Sequence, residues 1–453
     1  MAFLAEYGLT IAFYATLISL IVLFRKKFEW QNKIIGLYKT KVGLKLMERI
    51  AGRRNQQRVA QGESLLRFVF PLLLIATIGV GIDMAFAQWA TPLPDTISLF
   101  LTRATVLLFI IYLLILIVFR PIEKVGEHGI VIGFLGMLFI IGVFLKGLTD
   151  LFFAPEAPPV VGLVLPGVKV PGLDIKIPLV TGWLALFIVI VIHEFSHGVV
   201  SKAHKVKVKS SGLMVFGPIG GAFVEPDEEQ LKKAPDKVQL SLFAAGPYSN
   251  ILSGMLFALI GSAVLVPLLV LLSTPVGFSF TSVEAGAAAA GVEPGVIYNS
   301  VNGEPALSVN DLLKELKGLQ PGDVVTLTSI TGREHKIIAG EHPDDATKGY
   351  LGVRGLTNEF THGGPITTAL FVVLAYLAKL ISWVIMFSLG LGLANLLPLG
   401  PVDGGRMLKT AAEHFFGPER GKALWARVSI ITLVALVILF FSPMVKDALA
   451  ALT

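Results

Sequence analysis

The chain has 453 residues, 54% of them hydrophobic and only 15% charged, with a mean hydropathy of +0.74, a composition that excludes an ordinary soluble globular protein. It has no cysteine, so disulfides and thiolate metal sites are excluded and any metal must be held by His and carboxylates. The net charge of +6 does not point to nucleic acid, because the basic residues stand beside apolar runs, as they do in cytoplasmic loops of membrane proteins.

A hydrocarbon core takes about 20 helical residues to cross, and apolar runs of that length follow one another along the chain. The first, residues 4–24, has no basic residue before it, RKK straight after it and no cleavage-type A-x-A site, so it reads as a retained span with its N-terminus outside. Residues 25–64 hold eleven Lys/Arg against three Glu and are expected to form a basic cytoplasmic loop. Further spans are expected at about 66–88, 99–119 and 130–149, and the Pro/Gly-rich stretch 155–178 then falls outside by parity.

A fifth span, about 179–203, carries HEFSH near its cytoplasmic end, and a sixth, about 240–272, returns outward. The segment 273–362 differs in composition. VIYNSV, VVTLTSI and HKIIAG read as strands, NG, PGD and TGR as turns, and DLLKELKGL as a helix capped by Ser308. Two last spans, about 366–390 and 424–443, flank the irregular stretch NLLPLGPVDGG. The expected fold is therefore a polytopic α-helical membrane protein of about eight transmembrane helices with an inserted small β-rich domain. Its parts are an N-terminal region 1–150, a core first part 151–272, the insert 273–362 and a core second part 363–453.

His193 and His197 are four residues apart, so on a helix their rings share a face and can converge on one ion. Glu194 is placed to take a proton from water at such a site. Three ionisable residues within five positions of a span are costly and call for function. A catalytic zinc takes three protein ligands, and Asp403 in NLLPLGPVDGG is a candidate third. Its prolines and glycines prevent a continuous helix, which at membrane depth is tolerated only in packed or wet surroundings. Residue types alone leave Asp403 open between a ligand and a solvated turn.

HEFSH, AGPYSN (245–250) and NLLPLGPVDGG together resemble the site-2 protease family of intramembrane zinc metalloproteases, over roughly residues 160–445. The resemblance implies that His193, His197 and Asp403 hold Zn2+ and that Glu194 is the catalytic base. It also implies that Asn395 belongs to the motif near the substrate. The chain departs from the commonest bacterial form, P-x-P, in having Pro398-Leu-Gly-Pro401. The first 150 residues are not explained by the family.

Residues 212–225 alternate around GPIGG and suggest a hairpin looping back toward the bundle, as family members have, or else a plain loop. Gly221, Ala222 and Phe223 in it are candidates for holding an unwound substrate by strand addition. In AGPYSN, Ala245 and Gly246 allow close helix approach and Asn250 is expected to hydrogen-bond across the bundle. The insert resembles a PDZ domain of the bacterial protease type, with Gly295-Val296 where Gly-Asp is usual. It would bind peptide, contact bulky ectodomains as a size filter, or act as a spacer.

The implied function is hydrolysis of peptide bonds in or next to transmembrane segments of membrane-protein substrates. The expected location is the plasma membrane, multi-pass and in contact with lipid, with the N-terminus and the PDZ-like domain outside and the active site toward the cytoplasm. Nucleic acid is not an expected partner. The alternatives are an inactive membrane chaperone or adaptor that captures clients through the PDZ-like domain, against which the intact Glu194 argues, and a metal transporter.

Overall fold

The computed structural model describes residues 2–52 apart from 33, parts of 64–72 and of 104–115, and 121–450 apart from 154–158, 163, 171–174, 218, 285–286, 290 and 344. Five helices within it are long and apolar enough to cross a membrane: Ile122–Leu151, Leu179–Ala203, Asp236–Leu271, Pro365–Ala394 and Pro418–Ser442. The first apolar run forms the 22-residue helix α1 (Ala2–Leu23). The spans expected at 66–88 and 99–119 fall largely outside the described residues.

Proline punctuates these helices. Pro121 precedes α3 (Ile122–Phe153), Pro178 precedes α4 (Leu179–Ala203) and Pro235 precedes α6 (Asp236–Ile260). Pro365 and Pro418 open the first turns of α9 (Pro365–Ala394) and α11 (Pro418–Ala450). At a helix start the missing N–H would have had no partner, and the fixed φ is already helical.

The chain divides into two compact units, Met1–Ile260 with Lys379–Thr453, and Gly261–Ala378. In the first, α6 packs against α3, α4 and the short helix α10 (Asp403–Phe416). Small residues permit this: a Cβ at Gly129 of α3 would lie 3.1 Å from Tyr248 of α6, and one at Gly133 would lie 2.7 Å from Met407 of α10. Leu242, Phe243, Ala244, Ala245, Leu396 and Met407 form the buried centre of this contact.

Four strands make a sheet in the order β1 (Glu29–Gln31), β2 (Ile35–Thr40), β3 (Val208–Phe216), β4 (Ile219–Pro226). All neighbours are antiparallel, with Thr40 opposite Ser211 and Ser211 opposite Val224. The second pair is the hairpin read around GPIGG. The first corrects the expectation of a plain basic loop at 25–64: residues 29–40 form a hairpin on the outer edge of β3. The short helix α2 (Leu44–Ala51) follows and packs on α4. Gly36 makes room for this pairing, since a Cβ there would lie 2.9 Å from Val215.

The second unit is β-rich. Its main sheet has the order β10 (Glu334–Ile338), β9 (Val324–Ser329), β7 (Tyr298–Val301), β5 (Thr274–Ser279), β14 (Thr357–Thr361), with β8 (Glu304–Pro305) paired to β7. Asn302 and Gly303 turn the β7–β8 hairpin with φ of 54° and 88°, the pair of positive φ values that an Asn-Gly turn supplies. Ser308 accepts from the Asp311 N–H at 3.2 Å and caps α8 (Val309–Glu315). Phe278, Phe280, Tyr298, Leu312, Leu327 and Ile337 are buried between sheet and helix.

Candidate metal centre

His193 and His197 lie one turn apart on α4, and their rings are 4.9 Å apart at 73°. The irregular stretch after α9 brings Asp403 to them from 210 positions away. The backbone explains the sequence there: the Gly404 N–H donates to the Asn395 carbonyl at 2.7 Å. A Cβ on Gly404 would lie 2.3 Å from the Leu396 carbonyl, and one on Gly405 2.2 Å from the Leu399 oxygen. Only glycine allows this return of the chain, and it sets Asp403 at the start of α10.

The Nε2 atoms of His193 and His197 are 3.2 Å apart, and Oδ2 of Asp403 is 3.1 Å from the first and 3.3 Å from the second. Among the described residues this is the one group of three His or carboxylate side chains gathered closely enough to hold a metal. The proton of the His197 ring points elsewhere. His197 Nδ1–H donates to the Leu242 carbonyl at 2.7 Å, which leaves its Nε2 as a lone pair. The amide of Asn250 lies 3.1 Å from His193 Nδ1. With the amide nitrogen toward the ring, the fully buried Asn250 keeps an unpartnered Oδ1. Turned over, that oxygen accepts from Nδ1–H, which again leaves Nε2 as a lone pair. In that orientation two lone pairs and a carboxylate oxygen converge, and this donor set fits a cation of the zinc type.

Glu194 is partly buried beside the group, and its Oε2 accepts from the Val224 N–H of β4 at 3.0 Å. Asn395 lines the cavity around the cluster, of about 280 Å³, but its side-chain amide donates at 3.0 Å to the Leu391 carbonyl of α9, which ends just before it. Its backbone carbonyl holds the Gly404 turn. Ala222 and Phe223 on β4 line a second, apolar cavity that also reaches Glu194; Gly221 is on the same strand and does not line it.

Sequence reasoning missed two contributors. Gly246 was read as allowing helix approach, but what approaches it is the pair of rings: a Cβ there would lie 2.4 Å from His197 Nε2 and 2.5 Å from His193 Nε2. Arg406 had no role assigned. Its guanidinium sits 4.2 Å over the Phe243 ring and donates to both Glu228 oxygens at 2.8 and 3.1 Å. It lines both the metal-side cavity and a larger polar cavity of about 690 Å³. The signal available was a charged residue next to the DGG motif. His204, which caps the end of α4, meets Ser241 Oγ at 3.2 Å instead of the metal group.

The model of peptidase family M50 matches residues 181–436. The chain is also similar to an uncharacterized protein of Methanocaldococcus jannaschii, 29% identical over 300 residues that cover 63% of this chain and 73% of that one. The matched region begins just before HEFSH and runs past Asp403, so it contains every residue of the cluster. The chain belongs to peptidase family M50, the site-2 protease family of membrane metalloproteases.

Proposed function

We propose that this integral membrane protein is a zinc-dependent endopeptidase that cuts peptide bonds in or beside the transmembrane segments of other membrane proteins. The observation that carries this reading is the convergence of His193 Nε2, His197 Nε2 and Asp403 Oδ2, within 3.1–3.3 Å of one another, with both histidines on a helix apolar enough to cross a membrane. Zinc held there would acidify water and polarise the scissile carbonyl. Glu194 takes the proton of the attacking water and passes it to the leaving amine, and the Val224 N–H fixes the carboxylate that does so.

Hydrolysis at this depth needs a wet route. The polar 690 Å³ cavity shares Phe243, Pro401 and Arg406 with the metal-side cavity and supplies one. A helical substrate hides its peptide bonds and must be unwound, and backbone freed in an apolar medium costs several kcal/mol per group. β4 is terminal in its sheet among the described residues. The Val224 N–H points to Glu194 and away from β3, so by strand alternation Ala222 and Gly220 present their backbone groups on that same free edge. A substrate strand added there is satisfied as it opens.

The Lys/Arg excess of residues 25–64 supports a cytoplasmic site, with the N-terminus and the PDZ-like β-rich domain outside a plasma membrane. In this reading the β-rich domain meets substrate ectodomains or chain ends. The test is cleavage of a single-span substrate in liposomes by the purified protein. Cleavage that stops with a strong chelator and returns with added zinc supports the reading, and cleavage that persists without metal contradicts it.

A further inference from the structure

The N-terminal segment that the family does not cover is built against the HEFSH helix. Thr40 Oγ1 donates to the Ser211 carbonyl at 3.0 Å, and Ser211 Oγ donates back to the Val42 carbonyl at 2.6 Å. Gly43 takes a φ of 81° to start α2, which turns Met47 inward. Met47 is buried, and its sulfur would lie 2.5 Å from a Cβ on Gly198 of α4. This docking walls one side of a mostly apolar, open cavity of about 340 Å³. Val42 and Met47 of the N-terminal segment form one wall, Val191 and Phe195 of α4 another, and Leu213 and Phe223 of the sheet a third.

Glu194 and Val224 line both this cavity and the one that holds the metal group. Their 3.0 Å hydrogen bond is the partition between the two. The cavity also lies at the end of an apolar track on α4: Val180, Leu184, Phe187 and Val191, spaced along one helix face, are 69%, 41%, 49% and 38% exposed. A volume of 340 Å³ is at the small end of ligand pockets, roughly 300–1,000 Å³. A helix, about 10–12 Å across with its side chains, is too wide for it, whereas one large side chain of an unwound strand fits. Successive residues of a strand advance only about 3.3 Å, so a residue next to the cleaved bond needs only to cross the Glu194–Val224 partition.

We infer that residues 38–47, which precede the matched family region, form with the HEFSH helix a specificity pocket for one large apolar side chain of the substrate, adjacent to the scissile bond. This rests on the protease reading. It assigns a function to the N-terminal hairpin and makes substrate choice depend on a part of the chain outside the family core.

The test uses the full-length protein loaded with zinc and single-span substrates that differ only in the residues flanking the mapped cleavage site, Ala or Phe. Val42→Trp narrows the pocket and is expected to lower the Phe-to-Ala ratio of cleavage rates by roughly tenfold or more, the usual range when an apolar pocket loses its fit. Met47→Ala widens it and is expected to shift preference toward still larger residues such as Trp. In parallel, a photoactivatable phenylalanine at the same substrate position is crosslinked to the Glu194→Gln protein, which requires binding but no turnover. Crosslinks within residues 38–47 together with shifted ratios support the pocket. If wild type cleaves but the ratios stay unchanged and the crosslinks fall elsewhere, the pocket is overturned and the protease reading stands, with lipid the occupant of the cavity. If wild type cleaves none of the substrates, the protease reading fails and the pocket falls with it.

Discussion

Gly246 of α6 lies against the Nε2 of His197, so close that a methyl group at position 246 would stand 2.4 Å from that nitrogen. The second intramembrane motif, AGPYSN, thereby sets how near α6 comes to the lone pairs of the metal group. Gly246→Ala must push the rings apart or move α6 away. The expected result is a protein that inserts and folds but retains little zinc after dialysis, as read by metal analysis. Full zinc retention would remove Gly246 from the site.

Asn250 acts one layer further out. Its amide fixes the His193 ring at 3.1 Å, and loss of such a partner typically costs about 10–100-fold in metal affinity. Asn250→Ala is therefore expected to weaken zinc binding by roughly that factor, measured by competition with a chromophoric chelator. An unchanged affinity would reduce Asn250 to helix packing.

Asp403 and Gly404 separate ligation from architecture. Asp403→Asn keeps the shape and is expected to weaken zinc binding with little change in thermal unfolding. Gly404→Ala places a Cβ 2.3 Å from the Leu396 backbone, and overpacking of this kind costs about 1–3 kcal/mol. It is expected to lower thermal stability even in the zinc-free protein, and equal melting of the two zinc-free variants would contradict the assignment.

The N-terminal hairpin is tied to β4 by charge. Ser210 donates to Glu225 at 2.5 Å and Lys39 Nζ lies 3.3 Å from it. The Ser210 hydroxyl above all holds the Glu225 carboxyl below its usual range; burial opposes it, and the Lys39 ammonium adds to the lowering. A depressed folded-state pKa means that this stabilisation is present above the unfolded value, about 4.3 for Glu, and is lost as pH falls through the folded value. For so exposed a pair it amounts to about 1 kcal/mol or less. Amide exchange in residues 35–40 is expected to speed up selectively below that pH, and Glu225→Gln should remove the step.

What the sequence disclosed follows from how far apart the partners are. HEFSH was legible because its two histidines share a helix face at i and i+4. The strands and turns of 298–338 were legible because Asn302-Gly303, Gly322 and Gly332 carry the positive φ values such turns require. Asp403 needed the family resemblance, since no local pattern links it to His193, 210 positions away. The hairpin at 29–40 was read as loop because its strands, EWQ and IGLYKT, are short and lie in a basic segment, and the strand that completes them lies far along the chain, as the Thr40–Ser211 bond across 171 positions shows. Gly246 was legible as a small residue and illegible as a neighbour of the rings, because only the packed helices say what a small residue faces.

The central claim is that Glu194 moves the proton at a metal site formed by His193, His197 and Asp403. It is tested most directly by comparing wild type and Glu194→Gln side by side for zinc content and for cleavage of a model single-span substrate. The prediction is equal zinc in both proteins and cleavage by wild type alone. Substantial cleavage by Glu194→Gln with its zinc in place would contradict the role of Glu194 and the account built on it.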